Sequence, residues 1–315
     1  MKYSLFFCSV LYGLLAVLSS CQEVPVVKAE LLKEMQATTG EGAIWHSDRK
    51  TLFWVDIEGK TLYEYSPERN NNREWMFDCM ISTVVPESDS TVVVALQNKI
   101  VRFNLNTEEQ TLVARIPTNG GKLRCNDGKC GPSGRLWVGT MVLDGKPGDA
   151  SLYCVSSEGE TVEMLNNKTI SNGLALSPPK RFMDYIDTPT NKVDRYRYDM
   201  SDVEILHDGV AFHIPKEYGS PDGMTVDSEG NLWIAHWGGS GVYCYNPYTG
   251  ELLMKVEVPA LNVTSCAFGG PDLDMLYITT ARSGLTEKQL EEYPLSGSLF
   301  VCKPGVKGVE AYRFK

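Results

Sequence analysis

Thr51-Leu-Phe-Trp-Val-Asp56 reads as a short strand, because aromatic and branched side chains crowd a segment with no helical period. It returns five times, as Thr91-Val-Val-Val-Ala95, Arg135-Leu-Trp-Val-Gly139, Phe182-Met-Asp-Tyr-Ile-Asp187, Asn231-Leu-Trp-Ile-Ala235 and Met275-Leu-Tyr-Ile-Thr279. The centres, Phe53, Val93, Trp137, Tyr185, Trp233 and Tyr277, stand about 40 to 48 residues apart, close to the blade period of a β-propeller. A second strand follows each copy, for example Thr61-Leu-Tyr-Glu-Tyr65 and Gly241-Val-Tyr-Cys-Tyr245, and Leu252 to Val258 supplies a further one. The expectation is an all-β, six-bladed propeller over residues 31–315. A two-sheet sandwich is the competing reading, but it does not require six matched pairs.

The rest of the 315-residue chain fits one such domain. Hydrophobic residues at 43% and charged residues at 22% are those of a folded globular protein. A net charge of -10 with no basic run argues against nucleic-acid binding. At the N-terminus, Lys2 and the apolar run Leu5 to Leu18 read as a secretory signal. Leu18-Ser19-Ser20-Cys21 looks like a bacterial lipobox, so residues 1–20 are expected to be cleaved and Cys21 lipidated. Residues 21–30 then read as a tether. Attachment is expected through acyl chains alone, at the cell envelope, on the periplasmic or outer face of a bacterial membrane. Seven cysteines remain after Cys8 and Cys21 are set aside, with no C-x-x-C pair, so they read as buried small hydrophobes and no disulfide is assigned.

In a propeller the innermost strands line one channel, so equal repeat offsets meet at equal depth. Counting about 11 to 13 residues back from each aromatic centre gives Glu41, Ile81, Asn126, Asn172, Asp222 and Ser265. Four of these carry side-chain oxygen ligands, two are carboxylates and none is His. Oxygen-only donors favour a hard cation, Ca²⁺ first, then Mg²⁺ or Mn²⁺, with Zn²⁺ a poorer match. Gly40-Glu-Gly42, Asn126-Asp-Gly128, Ser171-Asn-Gly173 and Pro221-Asp-Gly223 each place a small residue beside the polar one, which reads as leaving the channel mouth open. Taken singly, such dipeptides are ordinary turns.

At these residues the chain resembles the gluconolactonase family that includes senescence marker protein 30, or regucalcin. The motifs run in order: Gly40-Glu-Gly-Ala-Ile-Trp45, Arg124-Cys-Asn-Asp-Gly-Lys129, Gly134-Arg-Leu-Trp-Val-Gly-Thr-Met141, Ile170-Ser-Asn-Gly-Leu174 and Pro221-Asp-Gly-Met-Thr-Val-Asp227. The resemblance covers about residue 30 to the C-terminus and implies a six-bladed propeller with gluconolactonase-like activity. It implies Glu41, Asn172 and Asp222 as ligands of one divalent metal ion, Arg124 and Asn126 as substrate contacts, and Asp222 as proton donor and acceptor. Asp144 lies where some members have a substrate-binding acid. The chain departs from the family at Gly131, Pro179 and Asp184, which puts blade packing or a second ion site in question.

Such a site suits hydrolysis of a sugar lactone, an ester closed in a ring, through a metal-polarised carbonyl and an activated water. Asp222 is the first candidate for base and Asp127 the second, its other reading being a brace for the Asn-Asp-Gly turn. No nucleophile elbow occurs, and the four His suggest no Ser-His-acid set. His236 follows a repeated run but is expected to be structural. The competing functions are a phosphotriester or other ester hydrolase on the same metal, and a noncatalytic calcium- or sugar-binding propeller. A monomer is expected.

Overall fold

The computed structural model describes residues 23–177, 182–199 and 204–315. The signal segment, Cys21 and Pro179 lie outside the described residues. Six antiparallel sheets form six blades, numbered I to VI in chain order. Their innermost strands are Gly40–His46, Ile81–Pro86, Leu123–Cys130, Ser171–Ser177, Ser220–Val226 and Asn262–Gly269. The six repeated runs form the second strand of each blade, one position out from the axis. Blade count and all-β class therefore agree with the repeat. The described residues include one short α-helix, Glu287–Glu292, besides single 3-10 turns, and no helix long and apolar enough to cross a membrane.

The ring is closed by the chain's beginning. Glu30–Lys33 pairs antiparallel with Leu299–Cys302 as the outer strand of blade VI. Val26–Lys28 lies parallel to Leu252–Glu257 as a fifth strand of blade V. The propeller thus starts before the expected boundary at residue 31, and the later part of the expected tether is sheet. The physical reason is that an unpaired edge leaves a row of N–H and C=O groups unsatisfied, and this segment covers two of them.

The second strands carry the interior. Trp54, Trp137, Trp233 and Tyr185 are fully buried, as are Phe53 and Leu52. Each side chain of the Leu or Phe kind contributes about 1.5–3 kcal/mol when wholly withdrawn from water. Near the axis the blades touch backbone to backbone. A β-carbon on Gly173 would lie 2.5 Å from the Asp222 carbonyl oxygen, and one on Gly223 would lie 2.8 Å from that of Thr264. These glycines serve close approach of neighbouring inner strands, not an open mouth as the sequence suggested.

All seven described cysteines are free, and all but Cys79 are buried. Burial pushes the Cys125 and Cys266 thiols up to about 12, so they are inert core residues. Asp184, at one of the family departures, is buried in blade IV and takes Arg195 in a two-point pair, Nε–Oδ1 2.8 Å and Nη2–Oδ2 3.0 Å.

Candidate metal and lactone site

Each inner strand carries a register irregularity, between Glu41 and Ile44, Ile81 and Thr83, Cys125 and Gly128, Ser171 and Leu174, Pro221 and Met224, and Val263 and Ser265. A bulge puts an extra residue on one strand and re-aims its side chain. Here it takes Asn126, Asn172 and Asp222 out of simple alternation and turns them toward the axis. The approach to these strands is fixed from behind. Asp56, closing the second strand of blade I, accepts from the backbone N–H groups of Thr38 and Thr39 at 2.9 Å each. Asp187, its counterpart in blade IV, accepts from Thr169 at 3.2 Å and Ile170 at 2.9 Å.

Glu41, Arg124, Asn126, Asn172 and Asp222 line one cavity of about 350 Å³. All five are at least 93% buried, so an axial cluster of polar groups sits at its base. Asn172 Nδ2 donates to Asp222 Oδ1 at 2.5 Å and to Thr188 Oγ1 at 3.0 Å, and the Thr188 hydroxyl donates to the Pro221 carbonyl at 2.9 Å. Arg124 Nη1 donates to Asn126 Oδ1 at 2.6 Å, while Asn126 Nδ2 donates to the Ser171 carbonyl at 2.9 Å. Asn172 Oδ1 is buried with no partner. A buried amide oxygen left unpaired costs about 1–3 kcal/mol, so its persistence requires explanation.

The charges are unbalanced too. Burial first, then the charges of Asp222 and Asp127, holds the Glu41 carboxyl well above the usual range, against the Gly42 N–H that donates to it at 2.7 Å. Burial and the charge of Asp127 push Asp222 up to about 8. Arg124 opposes both but is itself destabilised as a cation by burial. Two acidic oxygen donors and an orphaned amide oxygen on residues that line one cavity are chemically suited to a hard divalent cation. Among the described residues no three His, Cys, Asp or Glu side chains are grouped to hold a metal; this set has two carboxylates, and its third donor is an amide.

Two sequence candidates stand apart from the cavity. Asp127 Oδ1 accepts from its neighbour Gly128 N at 2.7 Å, the brace reading of that residue, and burial raises its pKa, partly offset by the charge of Lys129 and by that N–H. Lys129 crosses the channel from blade III to donate to the Met224 carbonyl of blade V at 2.7 Å. Asp144 is exposed and absent from the lining, whereas Leu143 beside it faces in. Sequence reasoning missed Glu58, which lines the cavity and accepts from Thr39 Oγ1 at 2.9 Å. It sits in the turn after the first repeated run, outside the inner strands to which the offset count was confined. His236 is in the core, with Nδ1 2.9 Å from the Tyr218 carbonyl and its ring stacked 4.2 Å from that of Tyr243.

Residues 39–282 match the family model described as SMP-30/Gluconolactonase/LRE-like region. The chain is 35% identical to a Bacillus subtilis (strain 168) protein named "Putative sugar lactone lactonase YvrE", over 91% of this chain and 98% of that one. It is 31% identical to regucalcin of Oryctolagus cuniculus, with the same coverage of 91% and 98%. Its fold superposes with a TM-score of 0.86 on the crystal structure of a calcium-binding protein, regucalcin, from Agrobacterium tumefaciens, at 28% identity over 92% of this chain and 99% of that one. With a shared propeller and these matches along nearly its whole length, the chain belongs to the SMP-30/gluconolactonase/LRE-like family.

Proposed function

We propose that this chain hydrolyses sugar lactones with one divalent ion, Ca²⁺ first among the candidates, held by Glu41, Asn172 and Asp222. The observation that carries the reading is the unpartnered Asn172 Oδ1 in a cavity that also holds two buried carboxylates, Glu41 and Asp222. The name of the Bacillus relative supports the lactone, and the calcium-binding character of the Agrobacterium regucalcin supports the ion. A divalent ion held there supplies the charge that keeps both carboxylates ionised, polarises the ester carbonyl and acidifies water.

The remaining work belongs to side chains. Arg124 presents a rigid donor fork, and Asn126, oriented by Arg124 and by the Ser171 carbonyl, offers its amide edge; together they place the substrate hydroxyls before chemistry begins. Asp222 takes a proton from the attacking water as the water oxygen bonds to the carbonyl carbon. It returns that proton to the ring oxygen as the ring C–O bond breaks, giving the open hydroxy acid. Asn172 Nδ2 holds the Asp222 carboxylate in position throughout.

Metal-stripped protein assayed on glucono-, xylono- and arabinonolactone and on a phosphotriester, with Ca²⁺, Mg²⁺, Mn²⁺ or Zn²⁺ restored singly, tests this reading. Lactone turnover is expected only with an ion present. Undiminished turnover in chelator, or in Glu41→Gln protein, would overturn it, and turnover of the phosphotriester alone would reassign the substrate. We also propose, from the Leu18-Ser19-Ser20-Cys21 lipobox alone, that the chain is held at the cell envelope through acyl groups on Cys21. Labelled palmitate should enter the expressed wild type and not Cys21→Ser.

A further inference from the structure

Resting on that reading, the rim of the cavity adds a substrate class. We propose that the site accepts a lactone carrying an apolar substituent beside its ring oxygen, seated on a ledge made by Leu143, Met141 and Ile170.

The floor is polar, but the wall above blades III and IV is not. Met141 and Ile170 pair across the gap between these blades, and both line the cavity with Leu143. The backbone of this ledge is held. Val142 N donates to the Thr169 carbonyl at 3.0 Å, while Leu143 N and Asp144 N both donate to the Lys122 carbonyl, at 2.8 and 3.1 Å. Leu143 and Asp144 therefore cannot exchange places without breaking those bonds. Where a carboxylate would recognise a hydroxyl, the chain presents a branched hydrocarbon.

Leu143 is 45% exposed and, among the described residues, is the one exposed large hydrophobic side chain that lines this cavity. An apolar side chain on a fixed backbone at the mouth of a polar site gains when a ligand's hydrocarbon covers it. On blade V, Trp237 adds a second apolar face to the lining, its Cζ2 3.5 Å from where a side chain on Gly284 would begin. The acids Glu58 and Glu41 lie on blade I, away from the ledge on blades III and IV.

The test compares δ-valerolactone, an unsubstituted six-membered ring, with δ-decanolactone, which carries a pentyl arm beside the ring oxygen, on metal-loaded wild type and Leu143→Asp. The wild type should favour the pentyl lactone at least tenfold in kcat/KM, and Leu143→Asp should erase that advantage with the melting temperature of the protein unchanged, since Leu143 is 45% exposed. Calorimetric binding of the corresponding lactams, which resist hydrolysis, runs in parallel. A pentyl preference in lactam binding that depends on Leu143, with no turnover of any lactone, would sustain the ledge and remove the hydrolase. No pentyl preference in either assay, or one that survives Leu143→Asp, would overturn the ledge.

Discussion

Two groups of buried carboxylates in this molecule are treated in opposite ways. In blade IV, Asp184 is matched oxygen for nitrogen by Arg195, whose guanidinium also lies over the Phe182 and Tyr248 rings at 5.0 and 4.7 Å. On the axis, burial and neighbouring carboxylates hold Glu41 and Asp222 above the usual carboxylate range, and among the described residues the one cationic side chain lining their cavity is the buried Arg124. Proteins seldom bury charge without a partner, because desolvation costs several kcal/mol per ion. The paired group is complete within the chain. The axial group has no such match among the described residues, and that contrast underlies the cation site proposed above.

Breaking the complete pair should have the largest effect. Arg195→Met removes the two-point ion pair with buried Asp184 and should lower unfolding free energy by about 3–5 kcal/mol in urea titrations. Activity per folded molecule should stay unchanged. The axial group should respond the other way round: Glu41→Gln or Asp222→Asn should lower lactonase kcat/KM by about 10²–10³-fold while raising the melting temperature of metal-stripped protein, since repulsion is relieved. If either axial variant melts as early as Arg195→Met, the contrast collapses.

A third buried ionisable group sharpens the comparison because it is kept neutral instead of paired. Burial, partly offset by the Tyr218 carbonyl, pulls His236 down to about 4 from an ordinary 6.5. The fold therefore favours the uncharged ring. Its contribution is fully present above pH 6.5 and is lost as pH falls from 6.5 toward 4. The loss reaches about 3 kcal/mol, from roughly 1.4 kcal/mol per pKa unit. Urea midpoints at pH 7 and pH 4.5 should converge in His236→Asn relative to wild type. Smallest is the effect of the ion itself. Ca²⁺ at a hundred times its Kd should stabilise the wild type by about 2.7 kcal/mol, and Glu41→Gln or Asp222→Asn hardly at all.

How far the sequence could be read varies from residue to residue for identifiable reasons. The Leu-Trp and Leu-Tyr runs recur because each blade buries the same second strand, so the period survives in the chain as a count. Glu41, Asn126, Asn172 and Asp222 were legible by the same count, since a closed ring converts equal offsets into a shared depth. Glu58 was not, because it belongs to a turn between outer strands, where no repeat constrains direction. The small residues beside the polar ones were legible as a pattern but misread in purpose, since nothing local reveals that the next blade's carbonyl lies 2.5 Å from a would-be β-carbon on Gly173.

By itself, then, the order of side chains determined six blades and the oxygens at their hub, because both follow from periodicity along the strand. Only the assembled ring decided that Asn172 Oδ1 has no partner, that Asp184 has one in Arg195, and that Leu143 and not Asp144 faces the cavity. Those outcomes depend on hydrogen bonds between segments distant in the chain, such as Lys122 with Leu143 and Asn172 with Asp222, and on which of two adjacent side chains a fixed backbone turns inward.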